Sequence, residues 1–178
     1  MEYPSIGILA GAGPYAGLDL ATKILEQMDS RGDQDYLSVY SVSTPSKIKD
    51  RTQYLLGETN ENPAYALAKN FLELQSMNVS VVGLPCNTAH ASPILDIFHA
   101  EIAPHLTSAR YVDMIQETVA FIGNECPGVN NIGILSTFGT WKAGFYPKFL
   151  EREGYKTLVL DELQQRFIHQ EALFHPEH

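Results

Sequence analysis

The chain has 178 residues, 44% of them hydrophobic, with 12 basic against 21 acidic side chains and a formal charge of -9. That composition supports a substantial buried core, in one domain or in one domain and part of another, and argues against disorder. The acidity is spread without any block of like charges, which excludes nucleic acid as a partner, and no apolar stretch nears the length of a membrane span.

Pro4 to Ala10 predicts a strand running into Gly11-Ala12-Gly13-Pro14. Ala16 to Met28 then predicts a helix with Leu18, Ala21, Leu25 and Met28 on one face. Tyr36 to Val42, rich in β-branched and aromatic residues, predicts a second strand closed by the loop residues Ser43-Thr44-Pro45-Ser46. Asn62 and Pro63 suit the cap and first position of a helix ending near Met77-Asn78, which turns Ala66, Leu67, Asn70, Phe71 and Leu74 towards a core. Val79 to Leu84 is nearly continuous apolar sequence, the pattern of a parallel strand covered on both faces, and it delivers Pro85-Cys86-Asn87-Thr88-Ala89-His90. Another helix follows Ser92-Pro93. Beyond Pro104 come a strand at Arg110 to Asp113, a helix at Met114 to Ile122, and a strand at Asn131 to Ser136 feeding a Thr137-Phe138-Gly139-Thr140 loop. A helix from about Ala143 to Glu153, a strand at Lys156 to Leu160 and a helix at Leu163 to Leu173 complete the alternation. The pattern implies an α/β fold of parallel sheets flanked by helices, in two similar lobes, residues 1–106 and 107–178, the second incomplete.

Two cysteines, Cys86 and Cys126, are too few for a disulfide framework and suit a reducing, cytoplasmic setting. Cys86 lies just past the carboxyl end of a buried strand, where open α/β sheets place ligands. A helix start close behind it would favour the thiolate, the form that can take a proton. The competing reading is an inert buried thiol. Cys126, in Glu125-Cys126-Pro127-Gly128 ahead of a strand, reads as structural. Gly11, Gly13 and Gly17 form a G-x-G-x-x-x-G pattern that could cradle a dinucleotide. The signal is weak, because no acidic residue closes the second strand and Pro14 removes a backbone donor. Cys86 and His90 share a helix face, yet two clear further ligands are lacking, with His99 and His105 near only in sequence, so no metal is expected. His90 better supports the cysteine loop through a hydrogen bond. His169, His175 and His178 read as a solvated tail.

Pro85-Cys86-Asn87-Thr88-Ala89-His90 resembles the first catalytic cysteine motif of the aspartate/glutamate racemase family. Further motifs in the same order are similar to that family's: Gly11-Ala12-Gly13-Pro14, Asp33-Gln34-Asp35, Ser43-Thr44-Pro45 with Asp50-Arg51-Thr52, and Leu135-Ser136-Thr137-Phe138-Gly139-Thr140 with Tyr146. Tyr15-Ala16-Gly17 departs from the usual acidic continuation. The resemblance implies a two-base racemase without pyridoxal phosphate or other cofactor, acting on a small acidic amino acid, aspartate or glutamate. It makes Cys86 one acid/base and assigns the α-carboxylate to Asn87, Thr88, Thr137 and Thr140, with Gly11 of the amino-terminal loop a further substrate-binding residue. His90 becomes a supporting residue. Arg51 would meet a side-chain carboxylate, for which its planar fork is suited, although on spacing alone a surface ion pair with Asp50 competes. The family's opposing cysteine, in a glycine-cysteine-threonine-glutamate segment, and the lysine-bearing segment before it are not found in these residues. The expectation is therefore the first half of the site, with racemisation impaired, or else a non-catalytic dicarboxylate-binding protein. An unfinished lobe should expose apolar surface, which suits a homodimer.

Overall fold

In a computed structural model that describes residues 4–174, strands and helices alternate largely as the sequence predicts, with a short helix at Arg51–Leu56 in addition. Their order is β1 (Ile6–Ala10), α1 (Pro14–Glu26), β2 (Val39–Ser43), α2 (Arg51–Leu56), α3 (Ala64–Ser76), β3 (Val81–Gly83), α4 (Ser92–Ile102), β4 (Arg110–Val112) and α5 (Met114–Glu125). There follow β5 (Asn131–Ile134), α6 (Phe138–Ala143), α7 (Phe145–Arg152), β6 (Lys156–Val159) and α8 (Glu162–Phe167), which runs on into a π-helical turn at Ile168–Leu173. All strand pairs are parallel: one sheet has the order β2-β1-β3-β4, and β5 and β6 form a second. β4, which follows residue 106, is the fourth strand of the first sheet.

The apolar run at 79–84 is covered as its composition requires, with Val79, Val82 and Leu84 all buried. Leu67, Phe71 and Leu74 of α3 and Ile94, Phe98 and Ile102 of α4 complete this core, in which the Phe71 and Phe98 rings meet edge to face at 5.7 Å. Asn62 caps α3 by accepting from the Ala64 N–H at 2.9 Å. Buried Asn70, on the core side of α3, donates to the Thr44 hydroxyl at 2.7 Å and so ties down the loop after β2.

Three local expectations are corrected. The second strand begins at Val39 rather than Tyr36, because Asp33–Asp35 coil into a 3-10 turn held by the Asp35 carboxylate on the N–H groups of Arg31 and Gly32. Thr137 to Thr140 is a helix start rather than a loop: Thr137 caps α6, and the helix expected at 143–153 is broken at Gly144, which has φ +62°. Finally, α1 turns a different face to the sheet. Leu18 and Leu25 are exposed, and the fully buried position is Gly17. A Cβ on Gly17 would lie 2.5 Å from the Cβ of Ala10, so the helix seats on β1 through its missing side chain. Hydrophobic periodicity cannot register such a contact.

Gly17→Ala should therefore destabilise the fold. Forcing a methyl group into that contact costs about 1–3 kcal/mol, against a helix-propensity gain of about 1 kcal/mol. Urea denaturation should show a lower midpoint; an unchanged midpoint would mean that α1 slides off β1 freely.

Candidate active site

In the first sheet, β1 and β3 are neighbours whose chains leave in opposite directions, β1 through α1 to β2 and β3 through α4 to β4. The carboxyl ends of strands whose loops diverge in this way are the usual ligand position in open α/β sheets. The loops bordering it are Gly11–Gly13 and Pro85–Cys86. Cys86 is a free, half-buried thiol, extended in backbone and followed at once by a single 3-10 turn, Asn87–His90.

Cys86 is held from behind. His90 is buried, and its Nδ1 lies 2.8 Å from the Cys86 carbonyl oxygen. On the other side of the ring, Nε2 lies 2.8 Å from the Tyr111 hydroxyl on β4 and 3.9 Å from an Asp113 carboxylate oxygen. The histidine thus supports the cysteine loop, and both of its ring nitrogens are engaged within the fold. Burial holds the imidazole below its ordinary value of 6.5, against the opposing pull of the Cys86 carbonyl and Asp113. Burial also pushes the Tyr111 hydroxyl well up, so it remains an O–H donor.

The Cys86 turn is joined to the later part of the chain through hydroxyls. Thr88 Oγ1 lies 3.0 Å from Thr137 Oγ1 and 2.9 Å from Thr140 Oγ1, and the latter two are 3.1 Å apart. Thr88 and Thr140 are buried. Next to this triangle the Tyr146 hydroxyl donates to Asn87 Oδ1 at 2.5 Å. With its oxygen taken, Asn87 retains an amide N–H pair for a ligand. Asn87, Thr137, Thr140 and Tyr146 line one cavity of about 330 Å³, which also reaches β5; Cys86, Arg51 and Gly11 are not in its wall. A larger hollow of about 840 Å³ between α5 and α7 touches none of these residues and is open to solvent, so the chemistry of the lining rather than size selects the smaller one.

Arg51 opens α2 but makes no ion pair with Asp50. Asp50 caps the helix instead, accepting from the Gln53 N–H at 2.8 Å. The Arg51 guanidinium donates to the Ala12 carbonyl at 2.5 Å and to the Lys49 carbonyl at 3.3 Å, while its buried Nε has no protein partner. The arginine therefore braces the glycine loop with N–H capacity to spare. Gly11, at φ +89°, adopts a conformation that favours glycine, and a Cβ there would lie 2.8 Å from the Thr44 backbone nitrogen. The glycines at 11 and 17 are thus explained by close packing. Gly139 completes the assembly: a Cβ on it would meet Thr52 Oγ1 at 2.6 Å, so α6 lies directly on α2.

The curated broad specificity amino-acid racemase RacX of Bacillus subtilis is 28% identical to this chain over 166 residues, 90% of this chain. The match spans 66% of that relative's length. Among solved structures, aspartate racemase from Picrophilus torridus aligns over 94% of this chain and 68% of its own, with a TM-score of 0.76 and 24% identity. The chain is similar in sequence to RacX and shares the aspartate racemase fold. An aspartate racemase homologue from Pyrococcus horikoshii shares the fold over 95% of this chain and 71% of its own, at a TM-score of 0.68 and 21% identity. No protein-family model matches the chain.

Several residues around the Cys86 turn carry no signal in the sequence. Tyr111 and Asp113 sit on and after a short strand with no motif around them, and only the pairing of β3 with β4 brings them to His90. Buried Gln165 donates to the Ser136 carbonyl at 2.6 Å and so anchors the approach to Thr137. His169 does not belong to a solvated tail: its Nδ1 accepts from the Phe138 N–H at 3.2 Å and its ring lies against Phe174. His175 and His178 lie outside the described residues. Cys126 is exposed at the end of α5 and packs in no core, contrary to a structural role.

A histidine held below its ordinary range leaves the unfolded chain binding more protons, so stability is present above about pH 6.5 and is lost as pH falls towards the lowered folded value. Urea midpoints should fall between neutral pH and about pH 5. They should fall less in His90→Gln; an identical slope in the variant would show that His90 contributes nothing to the acid sensitivity.

Proposed function

We propose that this chain carries the Cys86 half of an amino-acid racemase site of the aspartate/glutamate type, in which the Cys86 thiolate removes the α-proton of an acidic amino acid without a cofactor. The observation that carries the reading is the position of Cys86 past the carboxyl end of β3, next to β1 in the sheet, on a turn tied by Thr88 to the Thr137 and Thr140 hydroxyls. Proton abstraction next to a carboxylate needs a positioned base and groups that stabilise the enolate-like charge. The Asn87 amide and the threonine hydroxyls supply hydrogen-bonding groups for the α-carboxylate. The threonines now satisfy one another, so a bound carboxylate exchanges hydroxyl-hydroxyl bonds for charge-assisted ones, which are about twice as strong. Arg51, with spare N–H groups beside the glycine loop, meets the side-chain carboxylate.

Reprotonation from the opposite face needs a second acid. Cys126 does not fill that role, since it stands at the far end of α5 from Asp113, roughly 18 Å along a twelve-residue helix. Cys86 alone supports removal of the proton and its return to the same face. A thiol in this role suits a cytoplasmic, reducing setting. The apolar side chains exposed in the second part of the chain, Leu135, Leu158 and Leu163 among them, favour association of two copies.

Incubation of L-aspartate or L-glutamate with the protein in heavy water should place deuterium at the α-carbon, read by NMR or mass spectrometry. Cys86→Ala should abolish labelling while leaving the circular dichroism spectrum unchanged. Labelling that survives in Cys86→Ala would remove the assignment. Dicarboxylate binding without any labelling in the wild type would favour a non-catalytic binding protein. Arg51→Ala should raise the substrate concentration for half-maximal labelling on the order of tenfold or more, the scale of one charge-assisted hydrogen bond. A purely lower maximal rate would instead mean that Arg51 acts only as a brace for the glycine loop.

A further inference from the structure

His90, Tyr111 and Asp113 are joined in a chain of contacts that ends on the backbone of Cys86, and the chemistry of its two ends dictates the state of the histidine. The Cys86 carbonyl can only accept, so the His90 Nδ1 facing it at 2.8 Å must carry a proton. In the neutral ring Nε2 is then an acceptor, and the Tyr111 hydroxyl at 2.8 Å is the donor that satisfies it. We propose that Tyr111 is a positioning residue whose hydroxyl, donating to Nε2, holds the Nδ1–H form of His90 against the Cys86 carbonyl and thereby fixes that carbonyl, and with it the Cys86 thiol.

The surroundings of the ring support this assignment. Four titratable groups face it or its partners: Cys86, Tyr111, Asp113 and His99. Asp113 is the group that could favour an imidazolium, but its carboxylate is occupied as the cap of α5, accepting from the N–H groups of Ile115 and Gln116 at 2.8 and 3.1 Å, and it remains 3.9 Å from Nε2. The Tyr111 hydroxyl is the closer partner. Its ring is also fixed, with Phe98 and His99 centroids 5.3 and 5.2 Å away, so the hydroxyl is delivered by a packed aromatic group on a β-strand. The arrangement lets a strand that bears no residue of the cysteine loop control the geometry of that loop.

The activity arm of the test rests on Cys86 being the acid/base; the tautomer arm does not. Long-range proton–nitrogen correlation spectra of the folded protein at neutral pH should show His90 as the Nδ1–H form, and Tyr111→Phe should keep that form while shifting the Nε2 resonance to that of an acceptor without a donor. The same variant should slow both iodoacetamide alkylation of Cys86 and α-proton labelling on the order of tenfold, the scale of one hydrogen bond, with little change in the substrate concentration for half-maximal labelling. His90→Asn keeps a side-chain N–H for the Cys86 carbonyl without needing Tyr111, so adding Tyr111→Phe to it should change neither rate further. An Nε2–H tautomer in the wild-type protein would overturn the proposal, as would rate losses that simply multiply in the double variant. Should the wild type fail to label substrate yet show the Nδ1–H form and the alkylation effect, the racemase reading falls while the role of Tyr111 stands.

Discussion

Three threonine hydroxyls within about 3 Å of one another carry the connection on which the rest of the site depends. Thr88 belongs to the turn after β3, Thr137 and Thr140 to the start of α6, and they are 49 and 52 residues apart in sequence. A hydroxyl has one proton to give and lone pairs to receive, so three of them can close a mutually satisfied ring where charged or apolar groups could not. With Thr88 and Thr140 buried, that ring avoids the cost of unpaired polar groups. Opened by a carboxylate, its members become donors. One motif can thus join the two parts of the chain and also offer hydrogen bonds to a ligand.

The same junction is sealed sterically. Gly139 sits on Thr52 with no room for a Cβ, directly beside Arg51, and Arg51 reaches the Ala12 carbonyl of the glycine loop. Following these contacts, the chain closes a circuit: glycine loop, Arg51 helix, α6, threonine ring, cysteine turn. Each link is a short-range contact between groups with little freedom, so the relative placement of the loops is set by packing more than by any one strong bond. Behind the circuit, His90 and Tyr111 hold the Cys86 carbonyl from the side of β4.

Much of this was legible in the residues. Alternating apolar runs and helix caps gave the α/β class, and the strand ending at Pro85 placed Cys86 at a sheet edge because a continuous apolar run must be buried on both faces. Thr137 and Thr140 were marked by likeness of motif, although their local structure was misread: a threonine cap and a loop threonine look alike until the following N–H groups are placed. The buried face of α1 was misread for a different reason, since Gly17 makes its contact by having no side chain.

Sequence by itself determined most of the elements and which side chains have suitable chemistry, because propensity, periodicity and capping act over a few neighbouring residues. It did not determine that Tyr111 would supply the proton facing His90, that Asp50 would cap a helix instead of pairing with Arg51, or that Thr88 would meet Thr137 and Thr140. Those relations depend on strand order and on close approaches between elements dozens of residues apart. Their signal exists only once the backbone has been brought together.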